Sequence, residues 1–366
     1  MSPSPLLARP GAVAAGGPDS GVALHYGQPA QEQRALEAGQ GVVDLSHLGV
    51  VTVTGPDRLS WLNTLSTQLL LDLAPGQSGE LLLLDPHGRI EHAAAVADDG
   101  ERSWLVTEAG HVGGLVDFLE RMRFMLRVEV ADVTGRTAVV GTYADAWQAV
   151  AATPGHVLTW RDPWPATAPG GTSYGPPDAE HPGRDLHRAL GLVDRARLAE
   201  TVDATGLRLA GTWAWEALRV EAWRPRLGRE VDDRAIPHEL DWLRTGVHLE
   251  KGCYRGQETV ARVYNLGRPP RRLVMLHLDG SEHLTPEPGA RVLHGDRDVG
   301  VVTTVVRHAE LGPLALALVK RSLPADAQLV VDDIAAAQEI IVPVSGEAVG
   351  RPVERPGAEL RRRPRG

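Results

Sequence analysis

The sequence predicts an α+β fold with an all-β unit at its C-terminal end, and three observations carry that expectation. Between Val50 and Val130 short strands and helices alternate with hairpins, the order of a mixed rather than a strictly repeating architecture. After Pro269-Pro270 only short β segments follow. A chain of 366 residues also exceeds one compact core of typical size, so two or three packed units are expected.

Val50 to Val53 reads as a strand ended by Gly55-Pro56, after which Asp57 can cap a helix through Leu65. Leu81 to Leu84 and Ala93 to Ala97 flank the turn Asp85-Pro86-His87-Gly88 and read as a hairpin. Trp104 to Val106 is a strand, Val112 to Phe124 a helix and Arg127 to Val130 a further strand. Between Thr153 and Asp185 prolines and glycines accumulate, which predicts a surface loop or hinge over 153–185, pinned by Trp160 and Trp164. Thr212 to Trp223 reads as a helix capped by Thr212. Strands at Leu273 to Leu278, Arg291 to Leu293, Val299 to Val306, Leu314 to Val319 and Ala327 to Val331 indicate a small barrel or sandwich.

Composition excludes several classes. No apolar run approaches the ~20 residues needed to span a bilayer, and Met1 to Ser20 has no signal-type apolar core, so a cytoplasmic protein is expected. One cysteine permits no intrachain disulfide and no Cys-based zinc or iron-sulfur site completed by this chain alone. A net charge of -9 argues against general nucleic-acid binding. Residues 1–20 and the basic tail 345–366 are expected as disordered ends.

The most informative stretch is Lys251-Gly252-Cys253-Tyr254-Arg255-Gly256-Gln257-Glu258. Its glycines permit a tight turn, and from Gln257 a short helix with Glu258 and Arg262 spaced to pair is expected. Cys253 then lies near a helix N-terminus beside Lys251 and Arg255, surroundings that raise thiolate fraction. The plain alternative is an ordinary buried cysteine. Farther upstream, the 3.6-residue period places Ala214, Ala217, Leu218 and Glu221 on one stripe. A carboxylate there is costly unless it accepts hydrogen bonds, from a ligand's donors or, as the alternative, from Arg219 or Arg224. Arg262, Arg268, Arg271 and Arg272 form a local basic cluster, either a carboxylate clamp or a solvated linker. Asp44 and Glu239 read as loop-holding or site carboxylates, and His47 as structural.

The run Lys-Gly-Cys-Tyr-x-Gly-Gln-Glu at 251–258 resembles the signature of the YgfZ-type folate-binding proteins, relatives of the glycine-cleavage aminomethyltransferase. Val43-Asp44-Leu45-Ser46-His47-Leu48-Gly49, Leu218-Arg219-Val220-Glu221-Ala222, Ile236-Pro237-His238-Glu239 and Arg271-Arg272-Leu273 agree with the wider superfamily. The resemblance implies an aminomethyltransferase-like folate-binding body of two subdomains over 21–267, a C-terminal β-barrel over 268–344, and tetrahydrofolate or a derivative as ligand. On it, Arg219, Glu221, Lys251, Arg255, Gly256, Gln257, Glu258, Arg262 and Arg271 are candidate folate-binding residues, with Cys253 as a redox or ligand thiol. It further implies support of iron-sulfur cluster assembly or repair, with client or assembly proteins as partners. The aspartate pair that aminomethyltransferases carry after their Asn-x-x-Gly-Gly turn is missing from Gly88-Arg89-Ile90-Glu91-His92-Ala93-Ala94. A shift of one position to Glu91 turns that side chain to the other strand face, and His92 stands alone, so aminomethyl transfer is not expected. The competing readings are a folate-dependent one-carbon transferase or demethylase and a scaffold without ligand.

Overall fold

The computed structural model describes residues 3–281 and 284–352. Two five-stranded sheets and a closed six-stranded barrel pack around a shared centre. The first sheet is antiparallel in the order Ser78–Leu84, Ile90–Asp98, Arg102–Thr107, Gly49–Thr54, Glu129–Asp132. Its strands alternate between two buried faces. Val51, Val53, Leu81, Leu83, Val96 and Leu105 pack under the helices Arg58–Leu65 and Val112–Met122, which contribute Trp61, Leu62, Leu115 and Leu119. The opposite register positions split: Val50, Trp104 and Val106 meet the second sheet, while Leu82, Leu84 and Ala93 meet the barrel side.

The second sheet runs His156–Arg161, Arg188–Asp194, Thr137–Tyr143, Gly41–Asp44, Arg208–Ala210, with only the last pair parallel. Its outer strand corrects the expectation of a loop throughout 153–185, because Trp160 is buried and donates Nε1–H to the Gly79 carbonyl at 2.6 Å. Beyond Arg161 the chain does run as an irregular strap, fastened where Trp164 Nε1 donates to the Ala222 carbonyl at 2.8 Å and where Arg244 donates to the carbonyls of Pro165 and Pro176.

In the barrel, alternation decides which side chains face inward. Val274, Leu276, Ala315, Ala317 and Val319 fill its interior, small residues suiting a narrow barrel, while Leu273, Met275, Leu314, Leu316 and Leu318 face the shared core with Tyr174, Trp223, Trp242 and Tyr254. The strand Ile334–Ile340 closes it against Arg271–Leu278, an element with no sequence expectation behind it. The helix Thr212–Glu221 takes Gly211, not Thr212, at its cap position.

Both ends differ from the sequence expectation where they are described. Residues 3–20 are packed: Leu6 is buried, Ser4 Oγ donates to Asp44, and Asp19 pairs with Arg226 and Arg229. Apolar anchoring and a buried ion pair outweigh the Pro/Gly composition that suggested a loose end. Residues 345–352 likewise dock, with Ala348 buried, Val349 N–H donating to the Ser173 carbonyl at 2.8 Å, and Glu347 accepting from Arg268. The arginine-rich end, 353–366, lies outside the described residues.

Candidate functional site

The signature loop is held on every side except the one that carries sulfur. Lys251 turns inward and donates Nζ–H bonds to the carbonyls of Asn63, Ser66 at 2.6 Å and Gln68 at 2.9 Å, capping the end of the helix Arg58–Leu65. Burial pulls its ammonium down to about 8, and the three carbonyls work against that by favouring the charged form. Tyr254 plugs into the shared core beside Leu84 and Val260. Arg255 pairs with Glu91 at 2.8 Å across to the hairpin. Gly256 adopts φ +85° immediately before the helix Gln257–Asn265, and a Cβ there would meet the Asp85 carbonyl oxygen at 2.6 Å. Only glycine lets that helix approach the hairpin turn so closely. Cys253 is left exposed, which removes the buried-cysteine alternative.

The cations expected to flank the thiol therefore point elsewhere, Lys251 to a helix end and Arg255 to Glu91. Glu258 and Arg262 are both exposed and do not pair with each other, and Gln257 donates Nε2–H to the Lys251 carbonyl at 3.3 Å. The arginine clamp does not assemble either. Arg271 is engaged by Asp232 and Glu239, Arg268 by Glu347, and Arg272 enters the barrel to donate to the Leu323 carbonyl and Gln338. Burial takes Arg272 down to about 10. Asp44 and Glu239 hold backbone: Asp44 accepts from Ser46 N–H, and Glu239 from Arg271 N–H.

Glu221 is not turned toward a central ligand. It lies against the barrel strand Arg297–His308, with His308 Nε2 at 3.1 Å. Arg219 is fully buried, and all three of its nitrogens are occupied by Glu216, Glu230, Thr304 Oγ1 and the Arg224 carbonyl. Burial disfavours ionisation of Glu216, but Arg219 and Arg226 outweigh it and hold the carboxyl below its ordinary range. Asp19 behaves alike: burial opposes its charge, while His47 and Arg226 overcome that and lower it. These pairs tie the N-terminal segment, the helix Thr212–Glu221 and the barrel together.

The concave site lies where the two sheets and the segment 224–227 meet. A cavity of about 80 Å³ is lined by Glu80, Ala93 to Ala95, Glu108, Arg188, Arg224 and Arg226, with Trp160, Trp215 and Trp242 as aromatic walls. At roughly 10–15 Å³ per water-sized position it takes about half a dozen waters, room for a flat ring system rather than an extended ligand. Arg224 donates to Glu80 through Nη2 and to Asp162 through Nε at 3.1 Å; burial would lower it, but Asp162 and Glu80 raise it instead. Arg226 grips both oxygens of Glu108 at 2.8 Å. Arg188 stacks on Trp215, its guanidinium carbon 4.9 Å from the ring centre. Burial lowers Arg188, partly offset by Asp162. The return strand of the hairpin contributes only alanines: Glu91 leaves to Arg255, and His92 turns to Phe118 on the other face, where burial takes it down to about 4.

None of the cavity's charged residues was a sequence-derived candidate. Signals existed: Glu80 interrupts the run Gly79-Glu80-Leu81-Leu82-Leu83-Leu84, and Arg224-Pro225-Arg226 follows directly on a helix. Among the described residues no group of His, Cys, Asp and Glu is placed to hold a metal ion, and no helix is long and apolar enough to cross a membrane.

Comparison with known proteins places this geometry. Residues 23–143 match the GCVT N-terminal domain family. The aminomethyltransferase of Symbiobacterium thermophilum is 28% identical over 300 residues, 77% of this chain and 78% of that protein. A mitochondrial iron-sulfur cluster assembly factor homolog of Cryptococcus neoformans is 27% identical over 272 residues, 66% of this chain and 67% of its own length. The solved structure of the glycine cleavage system aminomethyltransferase T from Bartonella henselae superposes with a TM-score of 0.72 at 19% identity, covering 93% of this chain and 97% of that one, which establishes the fold.

Proposed function

We infer that this chain, a GCVT-domain protein with an aminomethyltransferase-like fold, is a cytoplasmic, tetrahydrofolate-binding auxiliary protein of the YgfZ type that supports iron-sulfur cluster assembly or repair. The observation that carries this reading is the separation of two features: an aromatic, arginine-lined cavity with no carboxylate from the hairpin's return strand, and an exposed thiol on an anchored loop. The cavity fits the flat head of a folate, with Trp160, Trp215 and Trp242 as stacking walls and Arg188 and Arg224 as donors. When bound, the folate would supply a one-carbon carrier. What the chain itself does is orient that head and exclude water from it. Cys253 meets iron-sulfur clients or assembly partners as an auxiliary ligand or redox handle.

Aminomethyl transfer is disfavoured because Ala93 to Ala95 occupy the wall that the hairpin's return strand offers to the cavity, and Glu80 on its first strand is engaged by Arg224 and Thr245. Incubation with tetrahydrofolate and an aminomethylated lipoyl carrier is expected to release no ammonia above background. Turnover in that assay would replace this reading with the one-carbon transferase, and absence of any folate affinity would replace it with the ligand-free scaffold.

A further inference from the structure

Apart from His47, whose ring lies 3.2 Å from Asp19 and can donate or accept, the spare hydrogen-bonding capacity of the cavity lies with donors. Its carboxylates are already engaged: Glu80 accepts from Arg224 and, through its other oxygen, from Thr245 Oγ1 at 2.6 Å, and both oxygens of Glu108 accept from Arg226. Several of its donors are not, although Trp160 Nε1 and Arg226 are engaged. Arg224 Nη1 and Trp242 Nε1 are buried with no partner among the described residues, in side chains of residues only 4% and 2% exposed. Arg188 makes no side-chain hydrogen bond, its Nε lying 3.2 Å from Asp162 Oδ2 without the alignment of one. Buried donors without acceptors are costly, and a cluster of them around one space implies a ligand that brings acceptors.

We propose that the ring entering this cavity is read by its acceptor edge: a planar heterocycle that presents a ring carbonyl oxygen to Arg188, Arg224 and Trp242, leaving its amine edge toward the mouth. The proposal rests on the folate reading above and fixes which edge of the pterin is recognised. Arg188 is the selective element, since its guanidinium lies over Trp215 and, beyond the ion pair of its Nε with Asp162, makes no hydrogen bond among the described residues. Arg224 is less selective, being anchored by Glu80 and Asp162 with one nitrogen to spare.

The test compares folic acid with its 4-amino-4-deoxy analogue, in which the ring carbonyl is replaced by an amine, by calorimetric titration of the full chain. Folic acid is expected to bind roughly tenfold or more tightly than the analogue, because an acceptor is exchanged for a donor facing donors. In Arg188→Met, whose side chain keeps the volume, the ratio is expected to collapse toward one. Equal or tighter binding of the analogue would overturn the acceptor-edge reading and leave folate binding standing. An unchanged ratio in a folded Arg188→Met protein would overturn the assignment to Arg188. Failure of both compounds in a protein that binds tetrahydrofolate would overturn this inference alone, and failure of tetrahydrofolate as well would overturn the folate reading with it.

Discussion

The loop 251–258 and the cavity between the sheets use positive charge in opposite ways. In the loop, Lys251 and Arg255 are fully engaged within the chain, one on a helix end and one on Glu91, and the group left without a partner is an exposed sulfur. In the cavity, Arg188 and Arg224 keep donors that nothing in the chain accepts, and the surroundings are buried. Cations engaged in scaffolding leave a thiol exposed on the surface, which on the proposed reading serves a partner protein, whereas buried donors without acceptors suit the small ligand of that reading. The difference teaches where to look in this fold: the most conspicuous motif organises presentation, and recognition is built from residues with no motif at all.

The largest effect is expected from Arg224→Ala, which leaves Glu80 facing a buried space without its cation and Asp162 with Arg188 alone. Unfolding in urea is expected to show a loss of about 3–5 kcal/mol, as for breaking one side of a buried pair. A loss below ~1 kcal/mol would show that the cavity arginine is not part of the scaffold and would weaken the contrast. Gly256→Ala comes next, since φ +85° and the approach to the Asp85 carbonyl both resist a Cβ. A cost of about 1–3 kcal/mol is expected, together with faster alkylation kinetics or altered accessibility of Cys253 as the loop shifts.

Acid should probe the buried side selectively. Burial holds His181 down at about 3 and His92 and His238 at about 4, so the folded state refuses protons that the unfolded chain accepts from the ordinary value of 6.5 downward. The stability they confer is full above pH 6.5 and is lost as pH falls toward those values. Each contributes a slope of up to ~1.4 kcal/mol per pH unit in that window, to be read from urea midpoints at pH 7, 6 and 5. A flat profile would show that these rings are not held neutral.

The smallest effects belong to Cys253→Ser and Glu221→Ala. Serine at an exposed position should change stability by less than about 0.5 kcal/mol and leave folate affinity unchanged, while complementation of iron-sulfur enzyme activity under oxidative stress fails. Glu221→Ala should shift folate affinity less than about twofold, because its carboxylate faces His308 rather than the cavity.

What was legible in the sequence follows the range of the forces involved. The first sheet's strands and most barrel strands declared themselves by alternation and turn residues, as in Leu81–Leu84 around Asp85-Pro86-His87-Gly88. Much of the second sheet did not: Gly41–Asp44 pairs with Arg208–Ala210 across more than 160 positions, and Arg188–Asp194 follows a stretch whose prolines signalled a loop. The exposed placement of Cys253 was legible because its flanking glycines act locally. Glu221 was misplaced because a helical stripe fixes which residues share a face but not what that face meets, here a barrel strand carrying His308. Glu80, Arg188 and Arg224 come together only when three separate segments fold, and no local pattern encodes that meeting.

The central claim is that ligand and partner are served by different regions, and one calorimetric experiment tests it most directly: tetrahydrofolate titrated in parallel into the wild-type chain, Arg188→Met and Cys253→Ser. The account predicts saturable binding to the wild type, unchanged in Cys253→Ser and weakened roughly tenfold or more in Arg188→Met. Binding lost in Cys253→Ser but retained in Arg188→Met would place the ligand at the signature loop and contradict it.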